Sequence, residues 1–263
     1  MLKEIITSIQ AYFHTHRFIN KHRLWKWIFI PGLIYTILFC VGIYLFVVSS
    51  NSAIDFMLQK SGVAEWMAKM QNSWLSFLLI FAQIILNLIL LLFYFSLFKY
   101  LFLIIGSPLF AYLSEKTESI IEGKEFPFSF KQLMKDIVRG IRLALRNMLW
   151  QTVYTVSILI LAFIPVIGWI TPLLALLIEC YYLGFSMLDY SCERNKLSTS
   201  QSISFIGRHK GLAIGNGIIF YLMHFIPILG WLLAPSYAVI AATISLHKAK
   251  TDGLINVDNK INL

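Results

Sequence analysis

Charge is scarce in this sequence: 13% of its 263 residues are Asp, Glu, Lys or Arg, against 58% hydrophobic. A soluble domain carries roughly a quarter of its residues charged. That excludes an ordinary water-facing surface, and the long apolar runs make the chain an integral membrane protein. Cysteine is equally sparse. Cys40 and Cys180 fall in apolar spans and Cys192 in a basic loop, with no metal or redox spacing, so reduced structural thiols are expected and no disulfide. There is no Walker-type glycine loop, no HExxH, no G-x-S-x-G elbow and no CxxC. Catalysis, a cofactor and a bound metal all go unsupported, although an intramembrane enzyme can lack such motifs. No secretory h-region precedes Trp27, so the first membrane helix is expected to serve as its own insertion signal.

What charge there is has a sign and a place. The net charge is +9, and of the 22 Lys and Arg only Lys60 and Lys69 fall between the first two apolar spans. The other 20 lie before Trp27, from Lys99 to Arg146, from Arg194 to Lys210, and after Leu246. Two crossing helices followed by two hairpins that return to their starting side would put all four segments on one side. The positive-inside rule then makes that side, and both termini, cytoplasmic. Nucleic-acid binding explains the pattern poorly, because the cations flank membrane spans and form no soluble module.

A motif occurs twice. AFIPVIGWITP (162–172) and HFIPILGWLLAP (224–235) place Phe-Ile-Pro-x-x-Gly-Trp 62 residues apart, each inside a long uncharged stretch. Proline removes a helical donor and glycine permits a reversal, so each copy predicts helix, break, helix. The breaks carry Phe163, Ile164, Val166, Ile167 and Trp169, and Phe225, Ile226, Ile228, Leu229 and Trp231. A turn in water would carry Asn, Asp or Ser. Two readings remain. The limbs from Asn147 and Gly211 reach about 27 Å and about 24 Å, short of a hydrocarbon core of roughly 30 Å, which favours hairpins that do not clear the far side. Alternatively Trp169 and Trp231 mark an outer interface belt joining full crossings.

The expected fold is all-α: two long transmembrane helices, two Pro/Gly-broken helical hairpins, and amphipathic interfacial helices in one membrane domain. Within residues 1–26, Leu2, Ile5, Ile6, Ile9, Tyr12 and Phe13 recur at helical spacing and read as an interfacial helix leading to a basic mouth. His14 and His16, with no carboxylate or cysteine beside them, do not suggest zinc. The first span is 27–48, about 33 Å, with Pro31-Gly32 in its first turns. Glu65-Trp66 reads as part of a short external helix, and 74–98 is the second span, about 37 Å. That helix is expected to run on until Gly106-Ser107-Pro108 interrupts it. In the cytoplasmic region 99–146, residues 111–127 look water-soluble, and Ser129 with Gln132 opens a helix. On it Lys131, Lys135, Arg139, Arg142 and Arg146 form one basic face. That face reads as a seat on anionic lipid or as a funnel for small anions. Hairpins at 147–188 and 211–246 follow, separated by a capping-box helix from Ser198 and Gln201, and 247–263 is a polar tail.

Four polar residues fall at depth. Gln83 and Asn87 share a helix face, either for an interhelical hydrogen bond or along a polar path. Glu179 either reaches the interface to meet an arginine or marks a functional site, and His224 is either a buried neutral histidine or a proton-linked gate.

IPGLI (30–34), SPLFAYLSEKTE (107–118), FIPVIG (163–168), LDY (188–190), and FIPILG with its following AP (225–235) occur in this order. The pattern resembles the CysZ family of bacterial inner-membrane sulfate permeases, which shares a superfamily with the eukaryotic etoposide-induced membrane protein. The resemblance runs from about Phe18 to His247. It implies a homo-oligomer that takes up sulfate or a similar oxyanion for cysteine biosynthesis without an ATP-driven partner. It also implies an anion site just before the first span, where sulfate-binding members carry Gly-hydrophobic-Arg-Arg. This chain has Arg23-Leu24-Trp25-Lys26 there. The glycine and the first arginine are replaced, and the candidate anion ligands are Arg23, Leu24 and Lys26, with helix-terminal amides. The alternative is a non-transporting membrane scaffold or assembly factor of the same superfamily.

Overall fold

The computed structural model describes residues 1–60, 73–123, 129–162, 164 and 167–253, with side chains outside the description at 50–93, 95–97, 133, 162 and 167. Among the described residues the chain is helical, without strands. In chain order the helices are α1 (Leu2–His22), α2 (Trp25–Lys60), α3 (Ser73–Glu122), α4 (Phe130–Ala162), α5 (Thr171–Arg194), α6 (Thr199–Arg208), α7 (Lys210–His224) and α8 (Leu229–Thr251), with a 3₁₀ turn at Ile167–Trp169. By length and apolarity alone, Trp25–Ser49, Thr171–Arg194 and Leu229–Thr251 suffice to cross a bilayer.

Both Pro/Gly motifs break their helices. The first lies between α4 and α5, although Phe163, Pro165 and Val166 are outside the described residues. The second lies between α7 and α8, where Ile228 takes a positive φ of 64° as N-cap of α8. Both tips are bare and apolar, with Trp169, Phe225 and Ile228 all exposed. The two tryptophans differ, however. Trp231 is packed on Phe39 with ring centroids 4.7 Å apart and donates its indole N–H to the His224 carbonyl at 3.1 Å, so only Trp169 is placed as a belt residue would be.

Proline did not stop the helix at Gly106-Ser107-Pro108, where an interruption was expected. α3 runs through it to Glu122. Pro108 has no N–H to give the carbonyl of Ile104, and the Ser107 hydroxyl donates to that carbonyl instead, at 3.0 Å. Nor is the 111–122 stretch solvated: Ala111, Leu113, Ser114, Thr117 and Glu118 are buried. α2 likewise continues past Val48, and the external helix expected around Glu65-Trp66 falls outside the described residues.

At the centre α5 crosses α7, and α8 lies against both. α1 and α2 flank α8 on one side, while α3 and α4 complete the bundle beside α5. α1 turns an unexpected face inward. Thr7, Ser8, Ala11, Tyr12 and Thr15 are buried against α7 and α8, and Leu2, Ile6 and Phe13 are left exposed. Short side chains let backbones approach, which outweighs burying the larger apolar residues where lipid can cover them. Tyr12 fastens the contact by donating to the Asn216 carbonyl at 2.9 Å.

Candidate anion site and buried polar clusters

The mouth between α1 and α2 is a turn made by Arg23 and Leu24. Arg23 sits in the left-handed region, φ 54° and ψ 41°, and its N–H and that of Leu24 both bond the Ile19 carbonyl. Glycine takes this conformation without strain, whereas the arginine here adopts it at a steric cost. Leu24 is 3% exposed and anchors the turn in the core, with its own N–H committed to Ile19. Arg23 and Lys26 are exposed. They stand at the start of the 36-residue α2, where the Leu24 carbonyl takes the Trp27 N–H at 3.0 Å and the N–H groups of Trp25 and Lys26 have no partner within the helix. Trp25 is pinned by its indole N–H to Asn20 at 2.9 Å, and His16, bonded to Tyr237 at 2.8 Å, lies edge-on to the same ring.

Glu179 does not meet an arginine at the interface. It is buried and paired with Lys99, whose ammonium lies 2.7 Å from Oε2. Tyr221 donates to the same oxygen at 2.9 Å, and the Gln151 amide donates to Oε1. Lys99 and Tyr100 both donate to Gln151 Oε1, at 2.7 and 2.6 Å. Lys99, read from sequence as part of the cytoplasmic basic region, therefore belongs to a buried cluster. His224 lies nearby: Nδ1 is 2.9 Å from the Phe220 carbonyl, which can only accept, and Nε2 is 2.6 Å from the Tyr35 hydroxyl, so both ring nitrogens have partners. Lys99, Glu179, Tyr221, Tyr35 and His224 all face one cavity of about 510 Å³ with otherwise largely aromatic and aliphatic walls. Gln83 and Asn87 lie on α3, and their side chains are outside the described residues.

A second cluster joins α4 to α5 and α6. Arg139 holds Asp189 through two bonds, 3.1 Å from Nε and 2.8 Å from Nη2, and also reaches the Ser202 hydroxyl at 2.6 Å and the Leu197 carbonyl. Arg194 pairs with Asp136 and with Glu115 at 3.3 Å. Ser114, Ser191 and Thr243 join α3, α5 and α8 by hydroxyl contacts. The single basic face expected on α4 is thus divided. Lys131, Lys135 and Arg142 are exposed, whereas Arg139 turns inward and Arg146 reaches Asn147 at 3.0 Å. The inward turn of Arg139 has no local signal in the sequence, because its partners lie 50 or more residues away.

Glu118 at the edge of this cluster gives a pH-dependent stability. Burial, with Glu122 adding repulsion, pushes its carboxyl from 4.5 up to about 7, against the opposing pull of Lys250 and Arg194. The folded state then holds the proton more tightly than the unfolded chain. The contribution of this group is full below about 4.5 and is lost as pH rises through about 7. Glu118→Gln is expected to remove that fall. Melting temperatures of the two proteins across this window should converge at the acid end and separate above it, and parallel curves would contradict the assignment.

A family model described as sulfate transporter CysZ/etoposide-induced protein 2.4 matches residues 11–235. Curated relatives named sulfate transporter CysZ include one from Pseudomonas aeruginosa, 27% identical over 224 residues that cover 83% of this chain and 89% of the relative. Another, from Pseudomonas syringae pv. tomato, is 29% identical over 220 residues, 82% of each chain. A third, from Pseudomonas fluorescens, is 30% identical over 143 residues, 54% of this chain and 57% of the relative. The match to the family model takes in α2 to α7 entire, the first broken hairpin, the break of the second as far as Pro235, and the Arg23–Lys26 mouth; the chain belongs to the sulfate transporter CysZ/etoposide-induced protein 2.4 family.

Proposed function

We propose that the chain is a permease or channel for sulfate or a similar small oxyanion, acting in a bacterial inner membrane with both termini cytoplasmic. Relatives named for sulfate transport, aligned over more than four-fifths of the chain, support the substrate class. The observation that carries the site is the mouth, where exposed Arg23 and Lys26 flank the leading amides of α2. A helix N-terminus with two cations receives a tetrahedral anion without further ligands. Leu24 holds the turn in place. No enzymatic step is part of this reading.

The two hairpins enter from the cytoplasmic side and stop within the membrane. α7 has 15 residues, about 22 Å against a core of roughly 30 Å, and the apolar tips would be covered by lipid or by a second copy in a homo-oligomer. On α4 the exposed Lys131, Lys135 and Arg142 alternate with exposed Phe130, Met134 and Val138, the pattern of a helix seated on anionic headgroups. Arg23→Ala/Lys26→Ala is expected to lower sulfate uptake into liposomes by at least about tenfold, the order set by losing charge-assisted anion contacts. Uptake unchanged in a folded double variant would remove the mouth from the pathway.

A further inference from the structure

Donors from three helices converge on one carboxylate. Lys99 of α3 and Tyr221 of α7 both donate to Glu179 Oε2, at 2.7 and 2.9 Å, while Gln151 of α4 donates to Oε1. We propose that this cluster is an oxyanion-binding site plugged by the protein's own Glu179, and that a transported anion takes the place of the carboxylate on Lys99 and Tyr221. The inference rests on the permease reading above and adds to it a second anion site, inside the bundle.

Three features carry it. The first is the chemistry of the donors. An ammonium, a phenol and an amide N–H are a set that recognises an oxyanion, and here they are turned on an acceptor-only group. Gln151 is oriented for this, because Lys99 and Tyr100 occupy its carbonyl oxygen and leave its N–H₂ facing Glu179. The second is burial. The side chains of Lys99 and Glu179 are 6% and 7% exposed, and a buried ion pair is a weak source of stability, since desolvation cancels most of the attraction. A pair kept for packing alone would be replaced at little cost by apolar residues of similar volume. The third is position. The pair lies in the wall of the 510 Å³ cavity, where among the described lining residues Lys99 is the one formal cation and Glu179 the one formal anion. Exchange of one anion for another leaves Lys99 with a counter-ion before and after, and the cavity gives the displaced side chain room to rotate.

Two variants test the proposal. Glu179→Ala removes the plug and leaves the ammonium without its counter-ion. In chloride buffer it is expected to melt well below wild type, and sodium sulfate should restore much of that loss by binding the folded form, with a smaller response from wild type. Half-saturation by sulfate should fall at least about tenfold relative to wild type. Lys99→Gln/Glu179→Gln keeps amide hydrogen bonding without either charge. It is expected to melt near wild type yet take up sulfate into liposomes at least about tenfold more slowly. No sulfate-dependent recovery of Glu179→Ala would overturn the site, and so would wild-type uptake by the double variant. If Glu179→Ala fails to fold even in sulfate, that also counts against it, because the exogenous anion has not replaced the carboxylate. Absence of uptake by wild type would defeat the permease reading instead, and the melting response would still decide the anion site.

Discussion

Arg139→Ala is expected to lower stability by about 3–5 kcal/mol, the cost of breaking a buried pair from one side. Asp189 would be left buried with no guanidinium to hold it, and the Ser202 hydroxyl and Leu197 carbonyl would lose the same donor. One side chain thus fastens α4 to α5, to the 195–198 turn and to α6. A marginally stable membrane domain losing that much is expected to yield little monodisperse protein. Arg139→Lys should recover only part, because a point charge cannot serve the fork that Asp189 and Ser202 share. Arg142→Ala, three residues along and exposed, should stay within about 0.5 kcal/mol. Thermal melting of the three variants in one detergent checks the ranking. Equal stability of the Arg139 and Arg142 alanine variants would refute it.

A still larger effect is expected where α5 crosses α7. A Cβ on Gly184 would lie 1.9 Å from the Ala213 carbonyl oxygen, and one on Gly217 would lie 2.1 Å from that of Cys180. These neighbours are backbone atoms of the two most intimately packed helices, so no rotamer relieves the clash. Gly217→Leu should give no folded protein, since the crossing must open and everything docked on it, α1 and α8 included, loses its seat. Even Gly217→Ala should exceed the roughly 1–3 kcal/mol typical of overpacking. Gly207→Ala supplies the contrast: it sits in α6 with open space around the added methyl and should be neutral or slightly stabilising. Expression and size-exclusion profiles separate the two. Folded Gly217→Leu would mean that the crossing is looser than described.

Those glycines show where sequence reading reaches its limit. Gly168 and Gly230 were legible because a proline three residues earlier marks a break. Gly184 and Gly217 stand inside continuous helix with no proline beside them, and their role depends on the backbone of another helix, Ala213 for Gly184 and Cys180 for Gly217. The capping box of α6 was legible for the same local reason, and both of its bonds form, Gln201 N to Ser198 Oγ at 3.3 Å and Ser198 N to Gln201 Oε1 at 2.9 Å. Local chemistry misled at Pro108, where the rescuing hydroxyl was the adjacent Ser107. It also misled along 111–122, where small polar residues suggested water and instead bury against Ser191 and Thr243.

The candidate site divides along the same line. Arg23, Leu24 and Lys26 are close enough in sequence to be read together; Arg23 and Leu24 form the turn, and Lys26 lies in the first turn of α2. Glu179 was singled out as a carboxylate at depth, but Lys99, Gln151 and Tyr221 were not attached to it. Each contributes a single polar group on a different helix, 28 to 80 residues from Glu179. A four-helix convergence of that kind has no spacing to find.

Whether the family fold works here as an anion permease is decided most directly by labelled sulfate uptake into liposomes that contain only this purified protein. Phosphate and chloride run beside it. Saturable sulfate uptake above protein-free liposomes is the expected result. No flux of any anion, from protein shown to be folded and inserted, would contradict the permease function and leave a non-transporting membrane scaffold in its place.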